Sequence, residues 1–155
     1  MSIIMPAKNA FPWMEECLES VIKQSYGLWE LIVVNDHSTD HTAEVLEEYS
    51  KKDGRIKHYN NNGIGIIDAL NMALQRSSGE WVTRMDADDI MPINKLETLI
   101  SALSWNKNAV ATGKVKYFSD QPVSDGYKNY EKWLNKRIDR NDHWDWMYRE
   151  CVISS

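Results

Sequence analysis

The sequence predicts an α/β protein whose mostly parallel sheet is flanked by helices. Short apolar runs alternate with stretches of helical periodicity over residues 2–118, which is the pattern of such sheets. The run at residues 31–34, Leu-Ile-Val-Val, is wholly apolar, as expected of a strand that is buried on both faces. With 155 residues the chain has about the length of one domain and is long enough to bury a core.

The first half of the pattern contains three strands and two helices. A strand is expected at residues 2–5, and the helix after it has apolar residues four apart. These apolar residues are Trp13, Met14, Cys17, Leu18, Val21 and Ile22. A polar loop at residues 35–40 follows the second strand, and Thr39 or Asp40 is placed to cap the next helix. A third, weaker strand is expected at residues 55–59.

The second half begins with a turn signal, Asn-Asn-Asn-Gly, at residues 60–63. A helix is predicted over residues 66–76. Its expected buried face consists of Ile67, Leu70 and Leu74. A fourth strand at residues 81–85 leads directly into an acidic cluster. The alternation of strand and helix therefore continues through four repeats.

Beyond the acidic cluster the pattern is less regular. Pro92 is expected to open a further helix, because proline is favoured in the first turn. Residues 109–118 are predicted to form one long strand or a bent pair of strands, and residues 127–139 a short helix.

Composition and charge exclude several classes of function. The formal net charge of −5 comes without a basic block, which argues against a nucleic-acid partner. No apolar run approaches the roughly 18 residues that cross a bilayer, and residues 1–5 are too short for a signal peptide. Cys17 and Cys151 are far apart and lack metal-ligand spacing. A cytoplasmic protein is expected, and attachment to the inner face of the membrane is left open.

Polar side chains follow three of the predicted strands. They occupy residues 6–9, 35–40 and 86–89, after the first, second and fourth strands. Ligands of open parallel sheets bind beyond the carboxyl ends of the strands. Each cluster alone is compatible with an ordinary turn, but together they predict one site at one edge of the sheet.

The acidic cluster carries the sharpest chemical signal. Asp86 and Asp88 are two residues apart at a strand end, and in an extended chain such residues point the same way. With Asp89 they place three carboxylates in four residues, for which a hard divalent cation is the expected counter-charge. The alternative is a solvated acidic turn in which Asp88 or Asp89 stabilises the N-terminus of the next helix.

Three further candidate side chains each have more than one interpretation. Asp36 either accepts a hydrogen bond from a nucleobase or forms an Asx-turn into the following helix. Lys8 pairs with phosphate, lies over a base, or is an ordinary surface lysine. Arg84 either neutralises the acidic cluster or reaches phosphate, and both roles require it to lie near Asp86.

Four motifs occur in the order and spacing of a known family. They are Ile-Ile-Met-Pro-Ala-Lys-Asn, Leu-Ile-Val-Val-Asn-Asp-His-Ser-Thr-Asp, Gly-Ile-Gly-Ile-Ile-Asp-Ala-Leu-Asn and Arg-Met-Asp-Ala-Asp-Asp. Through them the chain, from about Ser2 to Leu103, resembles family 2 glycosyltransferases, which have the Rossmann-like GT-A fold. The segments at residues 129–135 and 150–154 also resemble bacterial members that make cell-surface polysaccharide.

The resemblance implies nucleotide-binding roles for five residues. Pro6, Ala7 and Lys8 match the stretch that lines the base and ribose. Asp36 matches the aspartate that hydrogen-bonds the base. Asp86 matches the first acidic residue of the DxD motif, which lies near the ribose.

The resemblance also implies a divalent metal, Mn²⁺ or Mg²⁺. Asp88 matches the metal ligand, and Asp89 is a candidate contact to the donor sugar or the metal. Residues 1–118 then correspond to the nucleotide-sugar-binding core, and residues 119–155 to an incomplete start of the acceptor-side region. The catalytic base of the family lies beyond the DxD motif, and we expect it outside this chain.

The chain departs from the family pattern at three places. Asn35 stands where the first aspartate of an Asp-Asp pair is common, and His37 replaces the commoner glycine, which removes a flexible position. Asp68 stands where many relatives have arginine or lysine. This last departure argues against a phosphate contact from the third helix.

The sequence therefore predicts a metal-dependent, inverting glycosyltransferase. The expected donor is a nucleoside-diphosphate sugar, with UDP as the expected nucleotide, and the acceptor is a saccharide or a lipid-linked saccharide. A nucleotidyltransferase is one alternative, although residues 6–9 are not a Gly-rich basic loop. A truncated, non-catalytic module that binds nucleotide and metal is another. The Trp-rich tail, with Trp144 and Trp146, leaves a homo-oligomer open.

Overall fold

The structure is a computed structural model that describes residues 1–106, 108–142 and 145. The chain divides into two compact units, residues 1–98 and a second unit that begins at Leu99. The helices are α1 (Phe11–Ile22), α2 (Thr42–Lys52), α3 (Ile66–Arg76), α4 (Lys95–Leu103) and α5 (Asp125–Arg140). The strands are β1 (Ser2–Ala7), β2 (Glu30–Asn35), β3 (Ile56–Asn60) and β4 (Val82–Arg84). Among the described residues they form one sheet in the order β3-β2-β1-β4.

Every strand pairing in this sheet is parallel, which confirms the predicted fold class. Both faces of the sheet are covered, and this explains the apolar run in β2. Leu31 and Val33 belong to a core cluster that includes residues of α1 and α2, whereas Ile32 and Val34 pack in a second cluster with α3. Because alternate residues of a strand face opposite sides, no position in the run is left for a polar side chain.

The buried face of α3 differs from the prediction. Ala69 and Ala73 are fully buried against the sheet, whereas Ile67 is 67% and Leu74 51% exposed. Leu70 is only partly buried. Alanines four residues apart let the helix backbone lie close to the strands, and the larger side chains then lie at the flanks of the contact. Apolar periodicity alone identified the helix but not the face that it buries.

A carboxylate whose side chain is 12% exposed joins several elements at the amino-terminal edge of the sheet. Glu30 accepts hydrogen bonds from the hydroxyl of Ser2 (2.8 Å), from the backbone N–H and hydroxyl of Ser78 (2.6 and 2.7 Å) and from the ammonium of Lys57 (2.9 Å). Burial alone raises the pKa of this carboxyl, but the bonds from Ser78 and Lys57 outweigh it and lower the pKa to about 2. The ionised form of Glu30 is therefore part of the folded structure.

Gly79 lies close to the start of β1, and Gly79→Ala is expected to destabilise the fold by about 1–3 kcal/mol. The N–H of Gly79 donates to the hydroxyl of Ser2 at 2.8 Å. An added Cβ would lie 2.6 Å from the nitrogen of Ser2, a backbone atom that is itself bonded to Trp81. Urea unfolding measures the loss. Gly54→Ala is the control, because an added Cβ there meets nothing within 4 Å, and equal unfolding midpoints for both variants would contradict the steric argument.

In the second unit, α5 confirms the predicted helix, but the predicted strand over residues 109–118 is wrong. The described residues 108–118 form no strand. The side chain of Asn135 pairs with both the N–H and the carbonyl of Val115 (2.9 and 2.8 Å), and Glu131 accepts the N–H of Tyr117 at 2.7 Å. This backbone therefore bonds to side chains of α5, whereas a strand requires the backbone of a neighbouring strand.

Several predictions concern residues outside the described part of the chain. Trp144, Trp146 and the segment at residues 150–154 belong to this group, as does Cys151. Cys17 is described and is a buried free thiol. Within the described ranges, no helix combines the length and apolar character that a bilayer crossing demands.

Candidate functional site

A pocket of about 420 Å³ lies at the carboxyl ends of the strands in the first unit. It is lined by every residue predicted for the site except Asp89. The loops that form it follow β1, β2 and β4 and precede α3. The strand order reverses between β1 and β4, so the pocket lies at the point where ligands of parallel sheets bind.

Asp36 is the most buried charged residue of the pocket, with 3% of its surface exposed. Its Oδ1 accepts the side-chain amide of Asn61 at 2.7 Å and the backbone N–H of Gly65 at 2.9 Å. Its Oδ2 accepts the ammonium of Lys8 at 3.2 Å. The N–H of Gly65, the amide of Asn61 and the charge of Lys8 hold the pKa of Asp36 below its usual value, although burial opposes them. An ionised acceptor is thus held inside the pocket.

The described bonds of Asp36 include no Asx-turn, and its neighbour makes the bond back to the local backbone. Asn35 accepts the N–H of Ser38 through its side-chain oxygen at 3.1 Å. The carboxylate of Asp36 is directed instead to Asn61, Gly65 and Lys8. The asparagine in place of a common aspartate therefore supplies the local turn, which leaves Asp36 to the pocket.

Hydrogen bonds that involve side chains join the loops after β1, β2 and β3 at this edge of the sheet. The backbone N–H of Asn9, after β1, donates to the hydroxyl of Ser38 at 3.0 Å, and the side chain of Asn9 accepts the N–H of Thr39 at 2.8 Å. The ring Nε2 of His37, after β2, lies 2.9 Å from the carbonyl of Gly63, after β3. The loops after β1, β2 and β3 are therefore bonded in sequence.

Asp40 serves the helix N-termini rather than the pocket. Its carboxylate accepts the N–H of Thr42, at the start of α2, at 3.0 Å and the N–H of Phe11, at the start of α1, at 3.1 Å. Two N–H groups that lack partners within their helices are satisfied in this way. Asp68, in the first turn of α3, accepts the N–H of Ile64 in the loop before that helix at 2.9 Å.

Three residues of these loops, Asn9, His37 and Gly65, have positive φ angles, and that of Asn9 is 51°. His37 has a φ of 54°, so the position still requires the conformation that glycine adopts most easily, and histidine tolerates it here. Gly65 has a φ of 93° and a ψ of 173°, a combination that is essentially restricted to glycine. Its N–H donates to Asp36, so a glycine is needed at Gly65 for that contact.

The acidic cluster is a turn and not an extended segment. β4 ends at Arg84, and the N–H of Asp89 donates to the carbonyl of Asp86 at 3.2 Å. The expected alternation of Asp86 and Asp88 along an extended chain is therefore wrong. Both residues nevertheless line the pocket, because the turn folds the chain back at its edge.

Arg84 lies beside the acidic turn, as both of its proposed roles require. Its Nε and Nη2 donate to Oδ1 of Asp86 at 3.0 and 2.7 Å. Asp89 has no comparable described bond to arginine. Burial, followed by the negative charges of Asp86 and Asp88, raises the pKa of Asp89. The turn thus carries negative charge that its neighbours offset only in part.

The donor set of this turn fits a hard divalent cation that takes part of its coordination from a ligand. Asp88 is exposed and lines the pocket together with Asp86. Within residues 1–106, 108–142 and 145, no group of three or more histidine, cysteine or acidic side chains is arranged to hold a metal. Mg²⁺ and similar ions are commonly bound through one or two carboxylates plus phosphate oxygens and water. The residues present therefore suit a metal that enters with a phosphorylated ligand.

The sequence patterns missed part of the pocket lining. Trp13 was expected in the core stripe of α1, but it is 54% exposed and faces the pocket. Gly65 also lines it. A third missed residue, Asn61, is 5% exposed and bonds Asp36 from the loop after β3. Only the asparagine-rich turn signal at residues 60–63 marked that loop.

The sequence model of one protein family, described as Glycosyl transferase family 2, matches residues 2–154. The chain belongs to this family. The match confirms the family that the four motifs predicted, and it continues beyond Leu103, where the four-motif match ended.

Curated glycosyltransferases are similar to most of the chain. An uncharacterized glycosyltransferase of Haemophilus influenzae is 42% identical over 114 residues, which are 73% of this chain and 35% of that protein. The UDP-Glc:alpha-D-GlcNAc-diphosphoundecaprenol beta-1,3-glucosyltransferase WfgD of Escherichia coli is 37% identical over 124 residues, 79% of this chain and 48% of WfgD. The chain thus spans less than half the length of either relative.

Solved structures confirm the GT-A architecture. S. aureus TarS 1-349 in complex with UDP has a TM-score of 0.71 and 28% identity, over 80% of this chain and 38% of that TarS 1-349 chain. The mannosyltransferase PcManGT from Pyrobaculum calidifontis, in complex with GDP-Man and Mn²⁺, has a TM-score of 0.67 and 28% identity, over 75% of this chain and 35% of that chain.

Proposed function

We propose that the pocket binds the nucleoside diphosphate of a sugar donor, with UDP as the nucleotide, and that the protein serves transfer of the sugar to a saccharide or lipid-linked saccharide. The carrying observation is that one pocket at the switch point joins the buried acceptor Asp36 to the acidic turn with Asp88. The similarity to TarS with UDP and to the UDP-Glc enzyme WfgD supports UDP. The proposed place of action is the cytoplasm, at the membrane face where the acceptor is lipid-linked.

Different residues of the chain contact different parts of the nucleotide in this proposal. Asp36 accepts an N–H of the base, and Pro6, Ala7 and Lys8 line the base and ribose. Asp86, bonded to Arg84, lies on the ribose side. Arg84 is occupied by Asp86 in this structure, which favours its role in offsetting the charge of the turn over a direct contact to phosphate.

A divalent ion at Asp88 would supply a Lewis acid that offsets charge on the leaving diphosphate. Asp88 is the proposed ligand because it is exposed in the pocket, whereas Oδ1 of Asp86 is bonded to Arg84. Asp89 is proposed as a contact to the donor sugar or to the metal. No residue of this chain is proposed as the general base, and inversion by single displacement belongs to the proposal for the whole protein.

Isothermal titration with UDP, with and without Mn²⁺, tests this proposal. UDP should bind the chain, and Mn²⁺ should tighten the binding. In Asp88→Asn, the affinity for UDP in the presence of Mn²⁺ should fall by at least about tenfold. The affinity for UDP without metal should be unchanged. Asp120→Asn, an exposed aspartate in the second unit, is the control and should behave as wild type. Absence of UDP binding, or an unchanged Mn²⁺ effect in Asp88→Asn, would overturn the proposal.

A further inference from the structure

The two carboxylate oxygens of Asp36 accept different numbers of hydrogen bonds. A carboxylate oxygen has two lone pairs, and Oδ1 uses both, one for the amide of Asn61 and one for the N–H of Gly65. Oδ2 has one described partner, the ammonium of Lys8 at 3.2 Å. One accepting position on Oδ2 is therefore left for a ligand in the pocket.

Further hydrogen bonds and backbone geometry fix the two donors to Oδ1 in place. Asn61 is 5% exposed, its backbone N–H donates to the carbonyl of Asn35 at 2.9 Å, and its side-chain oxygen accepts the N–H of Gly63 at 3.1 Å. The N–H of Gly65 is directed by a backbone conformation that only glycine readily adopts. Neither donor can turn away without breaking other bonds. The side chain of Lys8, in contrast, is 57% exposed and free to move with a ligand.

We propose that Asn61 is a positioning residue that determines base specificity, because it saturates Oδ1 together with Gly65 and leaves Asp36 a single accepting position. This inference rests on the proposed nucleotide function. Uracil presents one imide N–H between two carbonyl groups, and a single acceptor satisfies it. Guanine presents an N–H and an adjacent amino group, which require both carboxylate oxygens. With Oδ1 saturated, the amino group of guanine is left without an acceptor, and a buried polar group without a partner is costly.

Inosine diphosphate isolates this effect, because its base lacks only the amino group of guanine. Titration of the 155-residue chain with UDP, GDP and inosine diphosphate should give the tightest binding for UDP. GDP should bind no more tightly than inosine diphosphate. This comparison requires no substitution, so it does not depend on whether a variant folds.

Asn61→Ala should change the ratio of the two purine nucleotides. Loss of the amide frees one lone pair on Oδ1. The affinity for GDP should then rise about tenfold relative to the affinity for inosine diphosphate, which is the effect of one hydrogen bond to a charged group. Asn61→Ser is the second variant if Asn61→Ala does not fold. Asp68→Asn is the matched control. It weakens the bond to Ile64 in the same loop without touching Asp36, so both nucleotides should weaken equally.

The outcomes separate this inference from the proposed function. If the wild-type chain binds no nucleotide, the proposed function fails and the specificity inference fails with it. If the chain binds UDP but already prefers GDP to inosine diphosphate by tenfold, only the inference on Asn61 is overturned. The same holds if the ratio is unchanged in the folded Asn61 variants or changes equally in Asp68→Asn.

Discussion

Glu30→Gln is expected to destabilise the protein by about 3 kcal/mol at neutral pH. Glu30 receives hydrogen bonds from Ser2, Ser78 and Lys57, and these lower its pKa from 4.5 to about 2 despite the opposing effect of burial. A glutamine amide would direct N–H groups at one or more of these donors. Urea unfolding, followed by circular dichroism at several pH values, measures the difference between variant and wild type.

The stability difference between wild type and Glu30→Gln should depend on pH in one direction. Because the folded-state pKa of Glu30 lies below the unfolded value, its contribution is fully present above pH 4.5 and is lost as the pH falls towards 2. The difference between wild type and Glu30→Gln should therefore shrink over this window. Glu48→Gln is the control, because Glu48 is 61% exposed in an i,i+4 pair with Lys52 and should stay near wild type. A difference that is constant down to pH 2 would assign the effect to shape rather than charge.

Asp36→Asn is expected to weaken UDP binding by roughly 100-fold, which corresponds to about 2.7 kcal/mol. The amide that replaces Oδ2 would direct N–H groups towards the ammonium of Lys8 and towards the base N–H. Donor would then face donor inside the pocket. Isothermal titration with UDP at neutral pH measures the loss, with circular dichroism to confirm the fold.

Asp40→Asn is the matched control for Asp36→Asn. Asp40 also follows β2 and also accepts backbone N–H groups, from Thr42 and Phe11, but it does not line the pocket. The Asp40→Asn substitution should lower the unfolding midpoint and leave the affinity for UDP near that of wild type. Equal losses of UDP affinity in both variants would show that loop stability, and not the acceptor at Asp36, controls binding.

The sheet and the position of the site could be predicted from the sequence because both depend on local pattern. The apolar run of β2 reports burial on both faces, and parallel strands place their carboxyl ends at one edge. Three polar clusters after β1, β2 and β4 therefore had to converge. The family resemblance added roles to residues that this geometry had already brought together.

The parts that could not be predicted depend on contacts between distant residues. Asn61 lies 25 and Gly65 29 residues from Asp36, so no local pattern pairs them. The burial of Ala69 and Ala73 in place of Ile67 depends on how closely α3 approaches the sheet. Residues 109–118 have the composition of a strand, but strand formation also needs a partner backbone, which composition does not report.

The bonds between the loops after β1, β2 and β3 have a consequence for protein engineering. Asn9 is bonded to Ser38 and Thr39, and His37 to Gly63, so these loops form one connected unit. A graft that exchanges a single loop for that of a relative with another donor would break the bonds that join it to its neighbouring loop or loops. Retargeting the donor therefore requires the three loops to be transplanted as a set.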